Sequence, residues 1–278
     1  MKCATLGLMA KYWSPGKVKT RLGRDVSMHV AARIHRRFVA SLTGKLRECG
    51  DRRQLVATPP ERRQDWKAAP STATDRGASA MDRIDDSWTI VDQGVGDLGE
   101  RMSRWFQRCL TAADTPPNGR AVLIGGDCPQ LSAARVTDAF VALRTHDLVL
   151  GPARDGGYYL IGLRGDQLDP ERRWTRLWQD IRWSTNEVFD RTMDVAQRIG
   201  LKATTLPVES DVDTKADLMR FLRSLRDDAE DAESTIMLRD IQRWIDDPAS
   251  VESVSLSSHT QFGDAAAEPA PPNETSPQ

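Results

Sequence analysis

The sequence contains few of the residues that build thiolate or histidine-based sites. Only four of its 278 residues are cysteine and four are histidine, and neither type is clustered. No two cysteines show the Cys-x-x-Cys spacing of zinc and redox motifs, and the scattered histidines indicate neither a catalytic triad nor a metal cluster. Cysteines without such patterns are typical of a reducing compartment, so the expected location is the cytoplasm.

Long hydrophobic runs and an excess of charge of one sign are also missing. The apolar stretch 4–10 is too short to span a bilayer and lacks the flanking features of a signal peptide. The formal net charge is −1, so no overall field directs the chain onto nucleic acid or an anionic membrane. We therefore expect neither as a partner, while the oligomeric state stays open.

Short apolar runs alternate with helical periodicity through most of the chain. This order predicts a single Rossmann-like α/β domain at residues 1–226, with a mainly parallel sheet and helices on both faces. A charged C-terminal helix is expected at 227–247. Residues 248–278 contain no Lys or Arg and few large apolar side chains, which predicts a disordered tail.

Local signals predict where the elements begin and end. Ser132 is expected to cap a helix, and the pairs Ser184–Glu187 and Thr214–Asp217 are expected to form capping boxes. The expected strands are residues 3–10, 54–58, 88–92, 121–125, 148–151, 158–163 and 203–208, with a first long helix over 26–48 and loops at 11–22 and 68–79.

A basic loop follows the first predicted strand. Lys11, Lys17 and Lys19 are three of only eight lysines in the chain, and Gly16 allows a sharp turn between them. Lys17, Lys19 and Arg21 alternate, so an extended segment would direct them to one side. Such cations and exposed backbone amides suit a diphosphate, although the spacing is not that of a Walker A motif. A solvated basic surface loop is the alternative.

Aspartates follow two other predicted strands. Asp127 comes directly after the buried strand 121–125, where it could hold Mg²⁺ or Mn²⁺ against phosphates or simply cap a turn. Asp211 and Asp213 would face the same way in an extended segment, so one of them could supply a second carboxylate. The alternative is that acidic residues gather here because a helix begins at Thr214.

Two glycine-rich loops complete the candidate regions. Asp155 precedes two glycines, a pattern that either admits a substrate closely or forms a tight hairpin turn. The loop containing Gly94 and Asp97 lies ahead of a predicted helix, and a glycine pattern of this kind indicates a ligand only weakly.

Six stretches, taken in order, resemble a bacterial family of GT-A-like glycosyltransferases associated in part with arsenosugar biosynthesis. Trp13 stands where that family usually has its first proline, and Gly126 where Ser or Thr is common. Neither departure removes a charged group, and the resemblance extends over roughly residues 2–222. The stretches are residues 11–22, 93–102, 125–131, 151–163, 183–185 and 211–218.

The resemblance implies a GT-A-type nucleotide-diphospho-sugar transferase fold and gives the candidate residues roles. Asp127 would hold a divalent cation, Mg²⁺ or Mn²⁺, with Asp213 completing the metal site. Asp155 would face the acceptor as a general base. The implied nucleotide- and phosphate-binding set is Lys11, Gly16, Lys17, Lys19, Arg21, Gly94 and Asp97.

The activity implied by the resemblance is transfer of a sugar from a nucleotide-diphospho-sugar to a small-molecule acceptor. The alternative is a guanylyltransferase-like nucleotidyl transfer that releases pyrophosphate from a nucleoside triphosphate. A non-catalytic nucleotide-binding protein that keeps the fold is a third possibility.

Overall fold

The computed structural model describes residues 4–67, 82–111, 118–165, 173–227 and 231–251. The strands are β1 (Ala4–Lys11), β2 (Arg52–Thr58), β3 (Thr89–Asp92), β4 (Arg120–Gly125), β5 (Leu148–Pro152), β6 (Tyr158–Arg164) and β7 (Ala203–Thr205). The α-helices are α1 (Thr20–Val26), α2 (Met28–Lys45), α3 (Leu98–Leu110), α4 (Ala133–Ala142), α5 (Val188–Arg198), α6 (Lys215–Asp227) and α7 (Ala232–Asp246). Short 3₁₀ turns lie at Pro60–Arg62 and Arg173–Arg176.

The seven strands form one sheet in the order β3-β2-β1-β4-β6-β5-β7. Strand β6 is antiparallel to both of its neighbours, and the other pairs are parallel. The chain passes from β1 to β2 on one side of β1, whereas β4 lies on the other side. The loops after β1 and β4 therefore open at the same edge, at the switch point where open α/β sheets bind ligands. The predicted mainly parallel α/β fold is confirmed.

Helices cover both faces of this sheet, as predicted. Residues of α2 and α4, such as Val39 and Phe140, pack on one face. Residues of α3 and α5, such as Trp105 and Ala196, pack on the other face. A third apolar cluster joins α1, α2, α6 and α7, and it includes Phe38 and Trp244. This cluster attaches the C-terminal helices beside the carboxyl edge of β1.

Two of the three predicted caps are confirmed. The Ser132 hydroxyl accepts a hydrogen bond from the backbone N–H three residues later. Thr214 and Asp217 exchange hydrogen bonds at the start of α6. The pairing of Ser184 with Glu187 is wrong. Ser184 lies in a turn with φ 63°, and α5 begins only after Glu187, which makes no side-chain cap.

The helix predicted at 26–48 does not run continuously in the structure. Helix α1 begins at Thr20, inside the segment predicted as a loop, and the helical path is broken at Ser27 with φ 89°. The Ser27 hydroxyl then accepts from the backbone N–H of Val30 and starts α2. The last strand ends at Thr205 rather than at residue 208, because Pro207 has no N–H to continue the ladder, although Leu206 and Glu209 still donate to carbonyl oxygens of β5.

Packing at the C-terminal end continues beyond the predicted tail boundary at residue 247. Val251 is buried in the same apolar cluster as Ile241 and Trp244, which anchor α7. Residues 252–278 lie outside the described residues, and so does the predicted loop 68–79. In the described part of the chain, no helix is long and apolar enough to cross a bilayer.

Candidate active site

Three loops meet at the carboxyl edge of the sheet around one ion pair. Lys19 Nζ lies 2.5 Å from Asp127 Oδ1, so the basic loop and the Gly-Gly-Asp corner converge. The same ammonium donates to the Val212 carbonyl oxygen at 2.5 Å. Val212 in turn donates its N–H to the Asp127 carbonyl oxygen at 2.9 Å. Residues 193 positions apart are thus joined within one small volume.

The local backbone explains how Lys19 reaches this position. Gly16 has φ 73°, and the Lys17 N–H donates to the Ser14 carbonyl oxygen at 3.0 Å, so the chain reverses sharply. Lys19 itself is the residue before α1 and has φ 47°, in the left-handed region that a non-glycine residue rarely adopts. Its side chain is only 2% exposed, whereas that of Asp127 is 53% exposed. The ammonium therefore lies behind the carboxylate, on its protein side.

His35 is a member of this group that the sequence did not reveal. It lies on α2 with its side chain 6% exposed. Its Nε2 is 3.0 Å from the Lys11 carbonyl oxygen, which requires a proton on Nε2, and its Nδ1 points to Asp127 Oδ1 at 3.7 Å. Only its place on the buried face of α2, between Ile34 and Phe38, could have indicated it.

The charges around Asp127 hold its carboxyl group in the ionised form. Burial opposes ionisation, but the Lys19 charge and the His35 imidazole outweigh it, so the pKa of Asp127 is lowered. Its other neighbours are acidic. Burial, followed by repulsion from Asp127 and Asp155, raises the pKa of Asp211 to about 7, against the opposing effect of Lys19.

The second carboxylate of the predicted metal pair is directed elsewhere. Asp213 Oδ2 accepts from Arg21 Nη1 at 3.1 Å, and their side chains are 43% and 68% exposed respectively. Asp211 directly precedes Val212, whose N–H donates to the Asp127 carbonyl oxygen, so Asp211 is a further candidate for the second carboxylate, and the metal-binding role of Asp213 stays a prediction.

The β5–β6 turn brings Asp155 to the same edge. Asp155 is exposed, and its Oδ1 accepts from the Gly157 N–H at 2.9 Å, as in a tight turn. Gly156 has φ 89°, and a Cβ at this position would clash with the Asn186 carbonyl oxygen. The Gly156 carbonyl also accepts from the Phe189 N–H at 2.8 Å. The turn geometry therefore requires glycine, and it holds Asp155 at the carboxyl edge of the sheet.

The remaining predicted nucleotide-binding residues lie around the same edge. Lys11 and Lys17 are exposed near the end of β1. Gly94 follows β3, two strands from β1, and its N–H donates to Asp92 at 3.0 Å. Asp97 and Glu100 form a capping box for α3, so the carboxylate of Asp97 already has a structural function.

The donor set fits a divalent cation only if substrate supplies part of the coordination. Among the described residues, no three His, Cys, Asp or Glu side chains lie together closely enough to hold a metal ion. Mg²⁺ usually binds through one or two carboxylates together with substrate phosphates and water. The carboxylates of Asp127 and Asp211 match that pattern and would hold the cation jointly with a diphosphate.

Two sequence comparisons relate the chain to known proteins. The family described as "Uncharacterized protein conserved in bacteria (DUF2064)" matches residues 46–185, half of the 278-residue chain. A stretch of 60 residues is 50% identical to the 3-phospho-D-glycerate guanylyltransferase of Phenylobacterium zucineum (strain HLK1), covering 20% of this chain. That stretch spans 28% of the relative's length, well under two thirds of it.

A solved structure matches almost the whole chain. The crystal structure of a candidate nucleotide-diphospho-sugar transferase from Desulfovibrio desulfuricans G20 superposes with a TM-score of 0.70 at 28% identity. The match covers 91% of this chain and 99% of the other. The fold is therefore nucleotide-diphospho-sugar transferase-like, as the resemblance implied.

Proposed function

We infer the function from the premise that the chain belongs to the DUF2064 family of bacterial proteins and has a nucleotide-diphospho-sugar transferase-like fold. We propose that it is a transferase that moves a sugar from a nucleotide-diphospho-sugar to a small acceptor with the help of a divalent cation. The observation that carries this proposal is the junction of Lys19, Asp127 and Val212 at the switch point of the sheet.

The basic loop would bind the donor. Lys17 and Arg21 are exposed on either side of Lys19 and can contact the diphosphate oxygens. Lys19 already lies against Asp127 and keeps a positive charge where the leaving group becomes more negative. A cation held by Asp127 and Asp211 would add Lewis-acid stabilisation of that charge. Preorganised electrostatics of this kind usually contributes most to catalysis.

Asp155 would act on the acceptor side. An acceptor hydroxyl oxygen forms a bond to the anomeric carbon, the bond from that carbon to the diphosphate breaks, and the proton passes to Asp155. The Gly157 N–H holds one oxygen of this carboxylate, which leaves the other oxygen available for the proton. A positioned base typically contributes about 10²–10⁴-fold.

Guanylyl transfer is the second candidate, and the identity with the Phenylobacterium guanylyltransferase favours it. In that reaction an acceptor oxygen attacks the α-phosphorus of a nucleoside triphosphate and pyrophosphate leaves. The same basic loop and carboxylates would serve both reactions. The GT-A assignment, the link to arsenosugar biosynthesis and the cytoplasmic location stay predictions.

The test separates the two reactions by their leaving groups. Nucleotide sugars and nucleoside triphosphates are incubated with the protein, Mg²⁺ or Mn²⁺ and a pool of small acceptors, and products are followed by ³¹P NMR. Nucleoside diphosphate supports sugar transfer, whereas pyrophosphate supports nucleotidyl transfer and overturns the first proposal. Asp127→Asn should abolish either reaction, and Asp190→Asn, an exposed change on α5, is the matched control.

A further inference from the structure

A cavity adjoins the proposed catalytic edge. It has a volume of about 550 Å³ and lies between the β4–α4 loop, the β5–β6 turn and helix α6. Arg154, Asp211, Arg220 and Ser224 are among the residues that line it. Its position at the carboxyl edge of the sheet is where a second substrate would have to enter.

One wall of this cavity is shared with the donor side. Asp211 and Val212 line the cavity, while the Val212 carbonyl oxygen accepts from Lys19 on the opposite side. The Val212 N–H donates to the Asp127 carbonyl oxygen, and Asp155 directly follows Arg154, so residues that line the cavity are joined to both Asp127 and Asp155. A molecule in the cavity would thus place one end near the reacting centre and the other near α6.

The outer part of the cavity is lined by Arg154 and by Arg220 with its partner Asp217. Arg154 is exposed, and within the described ranges its guanidinium has no ion-pair partner, although its backbone N–H is fixed to the Glu209 carbonyl oxygen at 3.1 Å. Arg220 is held on α6 by an ion pair with Asp217, which also caps that helix. The Ser224 hydroxyl adds a further polar group. An anionic group would be the partner that Arg154 lacks.

We propose that this cavity binds the acceptor and that the acceptor is a small hydroxy compound carrying a phosphate or carboxylate group. Arg154 binds the anionic group, with Arg220 beside it, and the hydroxyl end reaches Asp211 and Asp155. This inference rests on the proposed transferase function. It adds that the acceptor is selected by its charge.

The test measures binding rather than turnover. The nucleoside diphosphate that gives the largest thermal stabilisation with Mg²⁺ is used to fill the donor site, and sn-glycerol 3-phosphate, D-glycerate and glycerol are titrated calorimetrically. We expect one or both anions to bind at least about tenfold more tightly than glycerol, since charge-assisted hydrogen bonds are the stronger class. The two anions distinguish a phosphate site from a carboxylate site.

Variants then locate the site. Arg154→Met should weaken binding of the preferred anion at least about tenfold and leave the diphosphate affinity unchanged. Arg223→Met is the control variant. Arg223 is exposed on α6, the helix that carries Arg220, and it does not line the cavity. Arg220→Met should weaken anion binding as well, and its melting temperature is recorded because Asp217 loses its partner.

Several results would overturn the inference. Glycerol binding as tightly as the anions, no binding of any probe, or equal effects of Arg154→Met and Arg223→Met would each do so. Competition between the anion and the diphosphate would show that the anion occupies the donor site instead. If no nucleotide binds but the anion still binds and depends on Arg154, the transferase proposal fails while the anion site stands.

Discussion

Replacing Lys19 by methionine tests the central ion pair directly. Methionine keeps the length and apolar stem of the side chain and removes only the charge. The change leaves Asp127 ionised beside a pocket without a cation, and it leaves the Val212 carbonyl oxygen without the ammonium. Because Lys19 is 2% exposed, water cannot replace it easily.

The expected loss of stability follows from the burial of the two partners. Removing one partner of a fully buried pair costs about 3–5 kcal/mol, whereas an exposed pair is worth at most about 1 kcal/mol. Asp127 is 53% exposed and can be hydrated in part, so we expect an intermediate loss of about 1–3 kcal/mol in urea unfolding. Lys17→Met, at an exposed position in the same loop, should change stability by less than about 0.5 kcal/mol.

A double-mutant cycle with Asp127→Asn assigns this loss to the pair. We expect a coupling of at least about 1 kcal/mol between the two positions, because each variant removes the same contact. Addition of Mg²⁺ should stabilise Lys19→Met more than the unaltered protein, since the cation can take the place of the ammonium. A coupling below about 0.5 kcal/mol, or equal stabilities for the Lys19 and Lys17 variants, would refute the reasoning.

Three further changes test other parts of the site and fold. Asp211→Asn should weaken Mn²⁺-dependent nucleotide binding at least about tenfold in equilibrium dialysis, and an unchanged affinity would contradict its assignment as the partner of Asp127. Gly156→Ala should destabilise the protein by at least about 2 kcal/mol in urea, while Gly16→Ala, whose Cβ meets nothing within 4 Å, should cost only about 1 kcal/mol. A chain that ends at Val251 should keep its melting temperature. A chain that ends at Asp247 should lose about 1.5–3 kcal/mol of unfolding free energy, because Val251 is no longer buried. Equal stabilities of the two chains would show that Val251 contributes nothing.

Parallel strand topology made much of this arrangement predictable from sequence. Apolar runs identified the seven strands, and a parallel sheet brings their carboxyl ends to one edge. Asp127 and Lys19 each follow such a strand, so their proximity could be predicted from the sequence. Residue order along the chain is enough for this kind of inference, because the sheet itself supplies the geometry.

Contacts that depend on the packing of helices or on irregular segments could not be predicted in this way. His35 lies near Asp127 because α2 packs against the end of β1. The spacing of the histidines along the sequence does not indicate this contact. The choice between Asp211 and Asp213 depends on the backbone path before α6, which is not a regular strand. Ser184 matched a capping pattern, yet a left-handed turn moved the start of α5.

The two hydrogen bonds made by the Val212 backbone have a consequence for biosynthesis. These bonds join Val212 to Lys19 and to Asp127. A nascent polypeptide that has left the ribosome only as far as α5 does not yet expose Val212 and therefore lacks part of the junction. A fragment limited to residues 46–185 would contain Asp127 without Lys19, His35 or Val212, the residues that contact it.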